Sequence, residues 1–302
     1  SIIKRIIHLA VPVSLTSIMI PVVANLDLLI VPYRLEVSGY SVEQATELFG
    51  YLTGMAVPLV NAATILTASL ATSLVPAIAE AAALGKRQDV YQRAAMAMRI
   101  SNLITVPGFV ILWLLATPVS QLFYGTAEAG RPIAVLAVGI FLLGIHQVTT
   151  GVLQGLGRTA IPVINMAISA VVKVLLNWML TAIPVLGIAG AAWATVADFG
   201  VAALLNLYFV KRYTGFTIDV EALIKIVVAG AAMAAALLAA YDLAIVPLGA
   251  SVAVLVAVLV GGAVYVSILI GVGSVVERDI VRIPVVGVRL AAILQRHSLL
   301  KK

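Results

Sequence analysis

The 302-residue sequence has no cysteine, which excludes disulfides and thiolate metal sites. Charge is also scarce: Asp, Glu, Lys and Arg make up 11% of the chain, against about 25% in a soluble globular domain. No GxxxxGK loop is present, so the chain has no phosphate cradle with which to draw energy from a nucleotide. No repeated constriction or filter loop of the kind a channel needs is visible. No metal-ligand cluster and no nucleophile beside a base occur, and the short loops lack the paired acids of a membrane transferase. What fills the chain instead is apolar: 63% hydrophobic residues and a mean hydropathy of +1.15. That balance describes an all-α, polytopic membrane helix bundle.

At about 20 apolar residues per crossing, eight transmembrane helices are expected, over 6–32, 54–79, 100–122, 133–153, 161–183, 187–209, 223–241 and 247–270. Pro12 and Pro21 are expected to kink the first, since each removes an intrahelical hydrogen bond. A polar link, RLEVSGYSVEQATELFG, separates the first two spans, and a basic, helix-prone stretch, EAAALGKRQDVYQRAAMAMR, leads into the third. Spans seven and eight are almost wholly Ala, Val and Leu, with Tyr265 and Ser267 among the few exceptions, and read as packing or lipid-facing helices.

Against that background the intramembrane polar residues stand out, because a charge in hydrocarbon is expensive unless it faces a cavity or a partner. The fifth span carries Asn165, Ser169, Lys173 and Asn177 at four-residue spacing, one slightly drifting ridge on a helix. Lys173 reads as a counter-charge for an anionic substrate, as a fixed internal cation, or as half of a structural ion pair. Two aspartates are available to it, Asp27 in the first span and Asp198 in the sixth, and the sequence does not choose between them. Asp27 shares a helical side with Ser17, Ile20 and Ala24; it either sits near water at a helix end or faces a cavity. Thr195, Asp198 and Asn206 share one broad side of the sixth span. Asn61, Thr64 and Thr67 form a stripe on the second span that serves either packing or a path. On the fourth span Gln147, Thr150 and Gln154 share a face, and a lone His146 reads more readily as a hydrogen-bonded packing residue than as a proton relay.

After Gly273 the chain becomes basic and amphipathic. Arg278, Arg282, Arg289 and Arg296 fall on one helical side, a pattern suited to anionic lipid head groups. The formal charge of +6 therefore has a topological explanation and does not point to nucleic acid. With the first residues cytoplasmic, that side receives Lys4, Arg5, Lys86, Arg87, Arg93, Arg99, Arg158, Lys211, Arg212, Lys225 and all six basic residues after Gly273. The outer side receives only Arg34 and Arg131. The positive-inside rule then puts both ends of the chain in the cytoplasm.

The stretches GYLTGMAVPLVNAATILTASLATSLVPAIAEA, QLFYG and GVLQGLGRTAIPVINMAISAVVKVLLNWMLTAIPVLGIAGAAWAT resemble the stage V sporulation protein B and polysaccharide-exporter branch of the multidrug, oligosaccharidyl-lipid and polysaccharide flippase superfamily. That branch is related to lipid II flippases. The resemblance implies a MATE-like transporter of about fourteen helices in two six-helix lobes. This chain would supply the second lobe (1–212), two additional helices (213–273) and a basic cytoplasmic tail (274–302). It implies a partner in the same protein, the six-helix N-terminal lobe, and a start without Met fits a C-terminal portion. It also implies a bacterial cytoplasmic-membrane location, an undecaprenyl-pyrophosphate-linked glycan as substrate, and cell-wall synthases as further partners. Some lipid II flippases hold sodium between helices seven, eleven and twelve; here Asp27, Asn177 and Thr195 fall near such positions, while Lys173 departs from the pattern because an ammonium cannot ligate a cation. No organic cofactor is implied, and coupling to sodium, to protons or to neither stays open. Two other readings remain: a cation-coupled multidrug exporter of the same fold, and a membrane scaffold for glycan synthesis.

Overall fold

The computed structural model describes residues 21–273, which are helical almost throughout and divide into two compact units, up to Ile218 and from Asp219 onward. The basic tail with Arg278, Arg282, Arg289 and Arg296 lies outside the described residues. Among those described, seven helical stretches are long and apolar enough to cross a membrane, and residues 21–37 form part of the first expected span. The protein is a multi-pass, all-α membrane protein.

In the first unit, α1 (21–37) is followed by α2 (Val42–Gly50), α3 (Val57–Ala83), α4 (Arg87–Leu114), α5 (Ala116–Tyr124), α6 (Gly130–Gly155), α7 (Ala160–Leu180) and α8 (Ile188–Thr214). Three expectations need correction. The polar link after the first span is largely helical. Pro32 does not end α1, and Ser41 opens α2 with a capping box: its hydroxyl accepts from the Gln44 amide while the Gln44 side chain accepts from the Ser41 N–H. Helix α2 then runs into α3 through a wide π turn, Tyr51–Ala56, where the Val57 N–H reaches back five residues to Leu52. Pro58 accounts for the wide turn, since it has no N–H for the carbonyl four residues back and its ring crowds that carbonyl. The phenol of Tyr124 donates to the Met55 carbonyl inside it, at 3.0 Å.

The third expected span is broken. Leu115, at φ −107° and ψ 26°, leaves helical geometry and separates α4 from α5. In the second unit, α9 (Val220–Leu248) keeps Pro247 in its last turn, and α10 (Ala250–Gly271) begins only after Gly249. That residue sits at φ +78° and ψ 163°, a conformation open essentially to glycine alone, so the break falls there and not at the proline.

Packing follows membrane rules, in which helices are drawn together by close van der Waals fit and not by exclusion of water. The centre of the first unit is α6, whose glycines let three neighbours approach. A Cβ on Gly144 would meet Ser101 Oγ of α4 at 2.7 Å, and one on Gly151 would meet the Ala71 carbonyl oxygen of α3 at 2.5 Å. Around the same stretch of α6, Leu74, Ile78, Val90, Ala94, Val148, Val152, Val210 and Phe216 form a buried apolar cluster. Helix α7 is inverted relative to a soluble helix. It buries Asn165, Ser169, Lys173 and Asn177 and exposes Ile164, Ile168, Val171 and Leu175, as expected where the solvent is lipid. In the second unit, α9 and α10 pack through small and aliphatic residues, with Gly261 against Met233 and Leu237, and Asp219 caps α9.

Candidate functional site

The inverted face of α7 borders a cavity of about 540 Å³ between α1, α2, the π turn, α3, α6, α7 and α8. Its polar lining includes Asp27, Asn61, His146, Gln147, Ser169, Lys173, Asn177, Thr195 and Asp198. The structure thus brings most of the polar residues singled out in the sequence to one space.

Lys173 donates to Asp27: Nζ lies 2.6 Å from Oδ2, with the two side chains only 10% and 16% exposed. Asn177, one turn along α7, gives its Nδ2 to the other carboxylate oxygen of Asp27 at 2.7 Å. Asp27 is therefore gripped at both oxygens, and α1 is fastened to α7. Near the end of the same pair of helices, Arg34 of α1 donates to the Trp178 carbonyl at 2.8 Å and lies over the Trp178 ring, 4.4 Å from its centroid. Lys173 is not a free counter-charge for an anionic substrate, because Asp27 already neutralises it.

The same geometry does not fit sodium. Sodium takes oxygen ligands, whereas an ammonium stands against one Asp27 oxygen and an amide N–H₂ against the other. The Asn177 oxygen points elsewhere and is buried without a partner. Thr195 spends its hydroxyl on the Ala191 carbonyl of its own helix at 3.1 Å. Among the described residues no group of three His, Cys, Asp or Glu side chains is arranged to hold a metal ion.

Asp198 also lines the cavity and is half-buried. Ser169 and Lys173 are its favourable neighbours and Asp27 its unfavourable one. The ionisable acids and bases lining the cavity include Asp27, Lys173 and Asp198, so one carboxyl, that of Asp198, is left without an ion-pair partner of its own.

Asn165, expected on the cavity side, is spent elsewhere: it is 2% exposed and donates to Asn206 of α8 at 2.8 Å. Asn206 in turn faces Thr150 and His146 of α6. Gln147 is anchored to α3, its carbonyl oxygen accepting from the Thr67 hydroxyl, and Asn61 stays open to the cavity. Two parts of the site had no distinct sequence signal. One is the link from His146 to Asn206, sixty residues apart. The other is the contribution to the cavity lining of Phe49 at the end of α2 and of Leu52 and Thr53 in the π turn, for which Pro58 is the available clue.

A family model described as MatE matches residues 52–179. In Bacillus subtilis (strain 168), Stage V sporulation protein B is 33% identical over 193 residues, 64% of this chain and 37% of that protein. The membrane protein YabM of the same organism is 27% identical over 302 residues, covering 98% of this chain and 56% of its own length. Its Lipid II flippase MurJ is 27% identical over 217 residues, 65% and 39%. Among solved structures, a MATE transporter in complex with MaD3S superposes with a TM-score of 0.60 at 20% identity, over 98% of this chain and 70% of that one. The inward closed Lipid II flippase MurJ gives 0.56 at 19%, over 70% and 46%. This chain spans from 37% to 56% of the length of these curated relatives.

Proposed function

We propose, from the premise that this chain belongs to the MATE-like superfamily of multidrug, oligosaccharidyl-lipid and polysaccharide transporters, that it works as part of a lipid-linked glycan flippase. Its relatives are transporters, and the chain is not an enzyme. The substrate is an undecaprenyl-pyrophosphate-linked glycan, lipid II or a related cell-wall, spore-cortex or polysaccharide precursor. It crosses the bacterial cytoplasmic membrane by alternating access. The sequence relatives support this choice, one of them being the Lipid II flippase of Bacillus subtilis.

One observation carries the mechanistic part: a lysine of the same chain grips Asp27 within the cavity. Lys173 is an internal cation that takes the place of a bound ion, so α1 is drawn onto α7 without sodium. Opening the cavity then requires the ion pair to part or Asp27 to be protonated, which makes protons the coupling ion or leaves the cycle uncoupled. The pyrophosphate takes its cationic contacts from the six-helix N-terminal lobe of the full transporter. Anionic membrane lipids bind the basic tail, and cell-wall synthases are the natural neighbours of such a carrier.

The surplus acid favours a second reading, export of an organic cation, for which Asp198 would be the counter-charge. One experiment separates the two. The full transporter is placed in vesicles with a fluorescent lipid II analogue, and exposure of the head group to an outside quencher is timed with and without sodium. Translocation that ignores sodium and is lost in Lys173→Met is the expected result. Translocation that rises steeply with sodium and ignores Lys173→Met would sink the internal-cation mechanism. No lipid translocation, together with gradient-driven movement of an organic cation that Asp198→Asn abolishes, would establish the second reading.

A further inference from the structure

The cavity wall formed by α6 has a chemistry of its own. A side-chain amide offers one acceptor oxygen and two N–H donors. Asn206 is fully buried, and its oxygen accepts from Asn165 Nδ2 at 2.8 Å, which turns both of its own N–H groups toward α6. One goes to Thr150 Oγ1 at 2.9 Å and the other faces His146 Nδ1 at 3.3 Å. An imidazole nitrogen that accepts a hydrogen bond carries no proton, so the ring proton of the neutral histidine is on Nε2. Among the described residues Nε2 has no protein partner. It is not one of the sealed, unpartnered polar atoms, and His146 itself lines the cavity. The next residue, Gln147, is held to Thr67 of α3 and also lines the cavity.

From this geometry we infer that His146 is a substrate-binding residue. It is a neutral imidazole, held as the Nε2–H tautomer by the Asn165–Asn206 ladder, and it donates to an uncharged oxygen on the transported head group, a sugar hydroxyl or an N-acetyl carbonyl. The inference rests on the flippase reading and narrows it. With Nδ1 spent inside the protein, His146 leaves only a donor for the cavity. Such a wall suits a ligand rich in oxygen acceptors. The charged group of an organic cation would instead meet the positive end of the N–H dipole. The acids and the paired ammonium stand on the other walls, on α1, α7 and α8. Asn165 and Asn206 are positioning residues that act through His146.

Two probes sharing lipid and pyrophosphate test this in vesicles holding the full transporter: one carries an N-acetylated disaccharide and the other no sugar. Loss of one hydrogen bond to the head group corresponds to a roughly tenfold effect. His146→Phe is therefore expected to slow the sugar-bearing probe about tenfold and leave the sugarless one unchanged. His146→Gln, whose amide N–H extends to the place of Nε2, is expected to retain most of the rate. Equal slowing of both probes by His146→Phe would overturn the inference while leaving the flippase reading intact. Failure of the wild type to move either probe would overturn that reading and, with it, the sugar as ligand. A readout independent of transport is the ¹⁵N spectrum of histidine-labelled protein in nanodiscs. The Nε2–H signature is expected in the wild type and a tautomer mixture in Asn206→Leu; an Nδ1–H or doubly protonated ring in the wild type would overturn the inference by itself.

Discussion

At the scale of single residues, the Asp27–Lys173 pair sets the largest local energies. With both side chains nearly out of solvent, removing one partner leaves a charge that neither water nor protein compensates, which costs about 3–5 kcal/mol. Replacing both removes the problem together with the attraction. Lys173→Met and Asp27→Asn are therefore each expected to lower the melting temperature of the detergent-solubilised protein markedly, and the double variant to regain much of the loss. Purely additive losses in the double variant would mean that the two residues are not coupled. Asn177→Ala belongs to the same set and is expected to cost less, since it removes a single hydrogen bond to a carboxylate, worth about 1.5–3 kcal/mol.

At the scale of elements, the helices were readable because their cause is local. Length and apolarity are written in each span, and glycine, proline and charge mark most of the ends. What failed was what depends on geometry between elements. Helix α2 reads as a link because nine residues of mixed character fall short of a membrane span, although Ser41 and Gln44 carry its capping signal. The polar ridge of α7 is the more instructive case. Four-residue spacing turns a helix by about 40° more than one full turn, so three such steps swing the last residue by about 120° from the first. Asn165 consequently faces α8, while Lys173 and Asn177 face α1. Spacing names the residues, but which neighbour each one faces depends on where the surrounding helices lie. The glycines of α6 make a prediction at this scale. Gly151→Ala would press a methyl group into the Ala71 carbonyl, a backbone atom that cannot swing aside. Prising α3 from α6 by overpacking costs about 1–3 kcal/mol. A clear fall in melting temperature is expected, and an unchanged one would mean that the helices can separate freely.

At the scale of the whole molecule, the two units are each internally packed, and apart from Lys173 several basic side chains of the first unit engage helix termini. Arg34 and Arg131 both reach carbonyls around the C-terminal end of α7, at Trp178 and Val185, where they also complement the negative end of that helix. Arg158 instead lies over Tyr213, near the C-terminal end of the antiparallel α8. The polarity expected from charge bias can be measured directly because the chain contains no native cysteine. Glu128→Cys, in the exposed turn before α6, is expected to react with a membrane-impermeant thiol reagent from outside intact cells. Gln88→Cys, exposed at the start of α4, is expected to react only after permeabilisation. The reverse pattern would invert the topology.

The reach of the ion pair along the chain bears on how the protein is made. Asp27 and Lys173 are 146 positions apart. At about 5–20 residues per second, a ribosome needs roughly 7–30 s to deliver the second after the first. During that interval α1 is in or beside the insertion machinery with an aspartate and no lysine to meet it. Its final fastening to α7 therefore waits until α7 arrives. The first of the described helices to be synthesised is thus fastened in place only after α7 has been made.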